Sequence, residues 1–75
     1  LETPLNEYRL VQAWSQVLGP AVQSYTKDLY IHNQVLYVKV TSSVLRHELF
    51  MNRKSLVYRL NAHVKAQVIT DIIFR

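Results

Sequence analysis

SSVLRHELFMNRKSLVYRLNAHVK, residues 42–65, decides how the rest of the chain is arranged. It holds neither Gly nor Pro, and Ser42 and Ser43 offer side-chain oxygens to the open N–H groups of a first turn. Leu45, Leu49, Leu56 and Leu60 recur at spacings of four, seven and four, which puts them on one face at roughly 100° per residue. On the same wheel His47, Met51, Lys54, Tyr58 and Lys65 fall on the opposite side, with Arg46 and Arg53 at its margin. The stretch therefore reads as one long helix, with a leucine seam toward a core and a basic, partly aromatic back toward water.

The segment before it has a different period. In Val35 to Thr41, Leu36, Val38 and Val40 alternate with Tyr37, Lys39 and Thr41, the pattern of a half-buried strand. If Asn33-Gln34 is a two-residue turn, Ile31 faces Leu36, Leu29 faces Val38, Tyr30 faces Tyr37 and Asp28 faces Lys39. Both apolar pairs then share one face, and the tyrosines and opposite charges share the other. A one-residue slip would invert every side chain, so the agreement argues for a hairpin. Gln is a poor residue for positive φ, which leaves the turn type weakly specified.

Farther out, Thr3-Pro4 reads as an N-cap with Pro at the first helical position, and Leu10, Trp14, Val17 and Leu18 repeat at helical spacing. Gly19-Pro20 stops that helix, so it spans about Pro4 to Leu18, and Ala21 to Tyr25 can add a short turn. Past the long helix, Val68 to Phe74 is short and β-branched, a third strand with apolar residues on both faces. Such a strand lies centrally, or its outer face is covered by a further segment or a partner. The order helix–strand–strand–helix–strand makes an α+β two-layer domain, two helices on one face of a three-stranded sheet.

Seventy-five residues, 49% of them apolar and 19% charged, suit one small globular domain, residues 1–75. The chain opens LETPL without Met, which points to a piece of a longer protein. With no Cys there are no disulfides or thiolate metal sites. No apolar run approaches 18 residues and no signal-type leader is visible, so a cytoplasmic location without membrane contact is expected. Nine Lys and Arg against five Asp and Glu give a formal charge of +4, compatible with a polyanionic partner.

No catalytic constellation emerges, and no enzyme, metal or cofactor is expected. His32, His47 and His63 lie on separate stretches without a Cys or HExxH spacing. Glu7, Glu48 and Asp71 fall on different elements, and a single Gly cannot form a phosphate-cradling loop. The basic surface is the candidate site. Arg46, His47, Arg53, Lys54 and Lys65 could neutralise phosphates, with Lys27 and Lys39 adding charge at the sheet edge. Tyr30 and Tyr37 could stack bases, at about 1–3 kcal/mol per base. The plainer alternatives are a solvated helix face and an ordinary cross-strand aromatic pair. Trp14 reads as core, whereas Met51 and Tyr58, apolar groups among cations, suit a protein interface.

AWSQVLGP (Ala13–Pro20), LYIHNQVLYVKVTSSVLRHEL (Leu29–Leu49), RLN (Arg59–Asn61) and VITDIIFR (Val68–Arg75) together resemble the bacterial DciA-like family, formerly a domain of unknown function. The resemblance is carried by Trp14 with Gly19 five residues on, Ser42-Ser43, Glu48-Leu49 and Leu60-Asn61, and IIFR is similar to short Bacteroidetes forms. It implies a KH-like fold lacking the GxxG loop. It also implies a non-enzymatic role in DNA replication: binding the replicative helicase DnaB, helping to load it, and contacting DNA through basic surfaces. Such proteins often carry Asn-Gly where Asn33-Gln34 stands here. The rival reading is a pure protein-interaction or dimerisation module, and the state expected is a monomer or weak homodimer.

Overall fold

The computed structural model describes residues 3–75. Helix α1 runs Thr3–Leu18, a short α2 Pro20–Ser24, strand β1 Thr26–His32, β2 Val35–Val40, α3 Ser43–Met51, α4 Arg53–Val64 and β3 Asp71–Phe74. The expected capping by Thr3 concerns a side chain outside the described residues. The α+β architecture is as expected, with the sheet order β1-β2-β3. β1 and β2 are antiparallel, while β3 runs parallel to β2. A parallel neighbour needs a long crossover, and α3 with α4 supplies it.

The hairpin register is the expected one. Asp28 faces Lys39, Leu29 faces Val38, Tyr30 faces Tyr37 and Ile31 faces Leu36. Asn33 and Gln34 both take positive φ, 50° and 65°, as a tight turn matched to strand twist requires. The Gln34 carbonyl also accepts the Thr70 N–H at 2.7 Å, so the turn is tied to the approach to β3. Its side chain gains nothing from that geometry. Gln34→Gly should stabilise the fold by about 0.5–1 kcal/mol, read as a higher midpoint in urea, because a left-handed non-Gly residue is strained. An unchanged or lower midpoint would show that the strain is already relieved.

Two expectations need correction. The stretch 42–65 is not one helix: Asn52, at φ −106° and ψ 14°, separates α3 from α4. Its side-chain Nδ2 donates to the Glu48 carbonyl at 2.9 Å, taking the place of its own backbone N–H, which turns to Leu49 O at 3.1 Å. An Asn that competes with the backbone in this way breaks the ladder. The leucine seam survives the break, since Leu49, Leu56 and Leu60 are buried and Leu45 is half-buried. Ser42 caps α3 as expected, its Oγ accepting from the Leu45 N–H at 3.2 Å.

The third strand is also shorter than expected, beginning at Asp71 and not at Val68, and it lies at the sheet's edge. The backbone of Val68 and Ile69 is engaged elsewhere. Asn61, buried on α4, accepts both their N–H groups on Oδ1, at 3.0 and 3.1 Å, and donates Nδ2 to the Ile69 carbonyl at 2.9 Å. One side chain thus completes the hydrogen bonding of a loop whose apolar residues are in the core.

That core joins Leu10, Ala13 and Trp14 of α1 to Leu36, Val38 and Val40 of β2, with Leu56, Leu60 and Val64 of α4 and Ile72 of β3. Trp14 is fully buried, and its Nε1 donates to Thr26 Oγ1 at 3.0 Å, which in turn donates to the Val22 carbonyl at 2.9 Å. Two details place Thr26 there. Gly19, at φ 91°, caps α2, whose Val22 packs against the core. A bulge at Lys27 shifts the register between Thr26 and Asp28, so that Thr26 bonds inward although Asp28 lies on the outer row. Among the described residues no helix is long and apolar enough to cross a membrane.

Candidate nucleic-acid interface

Strand alternation divides the sheet sharply. Leu36, Val38, Val40 and Ile72 point into the core and are buried, whereas Asp28, Tyr30, His32, Lys39, Asp71, Ile73 and Arg75 are exposed on the other side. The helices pack on the first face, where Leu10, Trp14, Leu56 and Leu60 share one core with these strand residues. The outward face is therefore open. Across its middle runs the row Tyr30–Tyr37–Ile73, set by the two strand registers.

Tyr30 and Tyr37 are stacked, ring centroids 4.9 Å apart and planes within 9°. The Arg75 guanidinium lies 4.9 Å from the Tyr37 centroid and 6.0 Å from that of Tyr30. Arg75 is fixed by its backbone, which donates to Val38 O at 2.8 Å and accepts from Val40 N at 2.9 Å, so the β3 pairing carries one residue past the strand. Lys39 stands beside it, and together Asp28, Tyr30, Tyr37, Lys39 and Arg75 frame a shallow hollow. The result is an aromatic platform with two cations and the Asp28 carboxylate at one end. Cation–π contact holds the guanidinium over the rings while leaving its N–H donors directed to solvent or an anion.

Arg75 is the residue that sequence reasoning missed. The sequence holds part of the signal, since Asp71, Ile73 and Arg75 share one face at period two, but the pairing that sets Ile73 beside Tyr37 is seen only in the structure.

The other expected residues do not gather at one place. Lys27 sits in the bulge, exposed near the end of α2. Arg46 is half-buried and donates Nη1 to the Val40 carbonyl at 2.7 Å, a structural bond at the end of β2. His47 is exposed on α3. Arg53 lies over the Phe50 ring at 4.3 Å and pairs with Asp71, Nε to Oδ1 at 3.5 Å, which offsets part of its charge. Lys54 is exposed beside Arg53, Val57 and Thr70. Lys65 lies at the far end of α4, about 16 Å along the helix from Lys54 at 1.5 Å per residue. The break at Asn52 divides these cations between two helices, Arg46 and His47 on α3 and Arg53 and Lys54 on α4. Met51 and Tyr58, 67% and 75% exposed, are likewise on different helices. Among the described residues no three His, Asp or Glu side chains converge on a metal-sized site.

The family model described as "Dna[CI] antecedent, DciA" matches residues 1–74. The chain belongs to the DciA family. No curated protein matches it. In this DciA-family domain the residues that carried the resemblance are structural. Trp14 and Gly19 form the α1–α2 corner, Ser42 caps α3, and the Glu48 carbonyl receives Asn52. The RLN run has three adjacent tasks: Arg59 donates Nη2 to Val17 O at 3.0 Å, closing the end of α1, Leu60 is core, and Asn61 holds the loop to β3. Family membership thus accounts for the scaffold, and the sheet face is a surface mounted on it.

Proposed function

We propose that this domain is a non-enzymatic adaptor that binds single-stranded nucleic acid on its open sheet face and associates with the replicative helicase DnaB. Membership of the DciA family supports a helicase-loader type of role. The single observation that carries the nucleic-acid half is the stacked Tyr30–Tyr37 pair with Arg75 against both rings on an uncovered sheet. An unpaired base has a π-face to lay on such a platform, and every base has one, so the contact tolerates sequence. Arg75, Lys39 and Lys27 would meet phosphates along the strand. Duplex DNA, whose bases are already stacked, presents no free ring to the tyrosines. The formal charge of +4 supplies long-range attraction for either form.

The reading is tested by binding of labelled oligothymidylate and of a duplex of equal length across a salt series, each with and without the helicase. The expected outcome is tighter binding of the single strand at every salt concentration, with a log–log slope near −0.7 per neutralised phosphate. It is also expected that the helicase co-migrates with the domain in the absence of DNA. Equal affinity for both DNA forms would remove the stacking platform. Loss of helicase association would leave a nucleic-acid module alone.

A further inference from the structure

The helical layer carries a second surface of different chemistry, at the end remote from the start of α4. Lys65 caps α4 in the left-handed conformation, φ 59° and ψ 39°, and turns the chain away. Tyr58, Ala62, Lys65 and Ala66 line one hollow there, and Leu5, Arg9, Lys65 and Ala66 line the next. Lys65 and Ala66 line both, so the two hollows adjoin, between the end of α4 and the start of α1. Tyr58 in the first hollow and Leu5 in the second are 75% and 59% exposed. Among the described residues no carboxylate lines either hollow.

We infer that these adjoining hollows dock an acidic peptide segment bearing aliphatic anchors, contributed by the protein partner of the adaptor. The inference rests on the adaptor reading and supplies the location of its protein-binding half. Leu5, Ala62 and Ala66 beside Arg9 and Lys65, with no acidic side chain in the lining among the described residues, are complementary to Leu or Ile flanked by Glu or Asp. A second copy of the chain fits less well, since a two-fold contact would set Arg9 and Lys65 against the same cations. A polynucleotide would leave Leu5, Ala62 and Ala66 against hydrated sugar and phosphate. The hollows lie on the helical layer and the tyrosine platform on the open face of the sheet, so both can be occupied at once.

The test is a titration of the ¹⁵N-labelled domain with a synthetic helical peptide of Glu and Leu, leucines on one face, and with its counterpart carrying Lys for Glu. The expected result is saturable shifts of amides in residues 5–9 and 58–67 with the acidic peptide alone. The charge-neutral double variant Leu5→Ala/Tyr58→Ala should weaken it at least tenfold, and Arg9→Glu/Lys65→Glu should weaken it likewise. Oligothymidylate affinity, measured on the same Leu5→Ala/Tyr58→Ala protein, should stay within twofold of the parent. That arm keeps failure of the docking site separate from failure of the nucleic-acid reading. No response to the acidic peptide, an equal response to both peptides, or shifts confined to the sheet would overturn the proposal. Self-association abolished by Leu5→Ala/Tyr58→Ala would overturn it in favour of a second copy.

Discussion

Asn61→Leu should destabilise the domain by about 3 kcal/mol or more. The branching of the side chain is kept, yet two buried N–H groups, of Val68 and Ile69, and the Ile69 carbonyl lose the side chain that pairs them. Each buried group left unsatisfied costs about 1–3 kcal/mol, against a total stability of about 5 kcal/mol for a domain of this size. The loop carries Val68 and Ile69 into the core and delivers Asp71 to the sheet, so β3 would be lost with it. Urea unfolding followed by circular dichroism measures the effect. Asn61→Asp separates hydrogen bonding from packing. Its carboxylate can accept both N–H groups, but it cannot donate to Ile69 O unless protonated. A midpoint for Asn61→Leu within 1 kcal/mol of the parent would mean that the loop finds other partners.

Tyr30→Ala/Tyr37→Ala should weaken oligothymidylate binding by at least tenfold while leaving the salt slope nearly unchanged. Stacking is worth about 1–3 kcal/mol per base, and each 1.4 kcal/mol is a factor of ten. Arg75→Glu/Lys39→Glu should act differently, weakening binding at low salt and flattening the slope by about 0.7 for each phosphate no longer neutralised. The two variants together distinguish a platform that reads rings from a patch that attracts charge. Lys54→Glu/Lys65→Glu tests the helix-face alternative, in which those cations meet the phosphates. On the sheet-face reading it reduces affinity only modestly through net charge, since screening at 0.15 M confines exposed charges to about 8 Å. A tenfold loss in this last variant, with the tyrosine variant unaffected, would move the interface to the helices.

The hairpin was legible down to its register because Leu29, Ile31, Leu36 and Val38 can share a face in only one alignment with Asp28 opposite Lys39. The first helix was legible because Gly19-Pro20 ends it unambiguously, and the α+β order followed. What escaped was set by side chains that act on backbone. Asn52 breaks a run without Gly or Pro, because its Nδ2 substitutes for its own N–H on Glu48 O. Asn61 makes a β-branched stretch into a loop by taking its N–H groups. Neither act has a periodic signature, since each depends on where one amide group ends up in space. The candidate site was half legible for the same reason. The tyrosine pair followed from the hairpin, which is local, while Arg75 joins it through a parallel pairing whose partner strand lies more than thirty residues earlier in the chain.

Whether the open sheet is the nucleic-acid surface is decided by amide chemical-shift mapping of oligothymidylate on the ¹⁵N-labelled domain at 0.15 M salt. The largest shifts are expected at residues 28–32, 35–39 and 71–75, with the Tyr30 and Tyr37 ring resonances moving upfield under the bases. Shifts concentrated on residues 44–65 of the helical layer, with those ring resonances unmoved, would contradict a sheet-face platform.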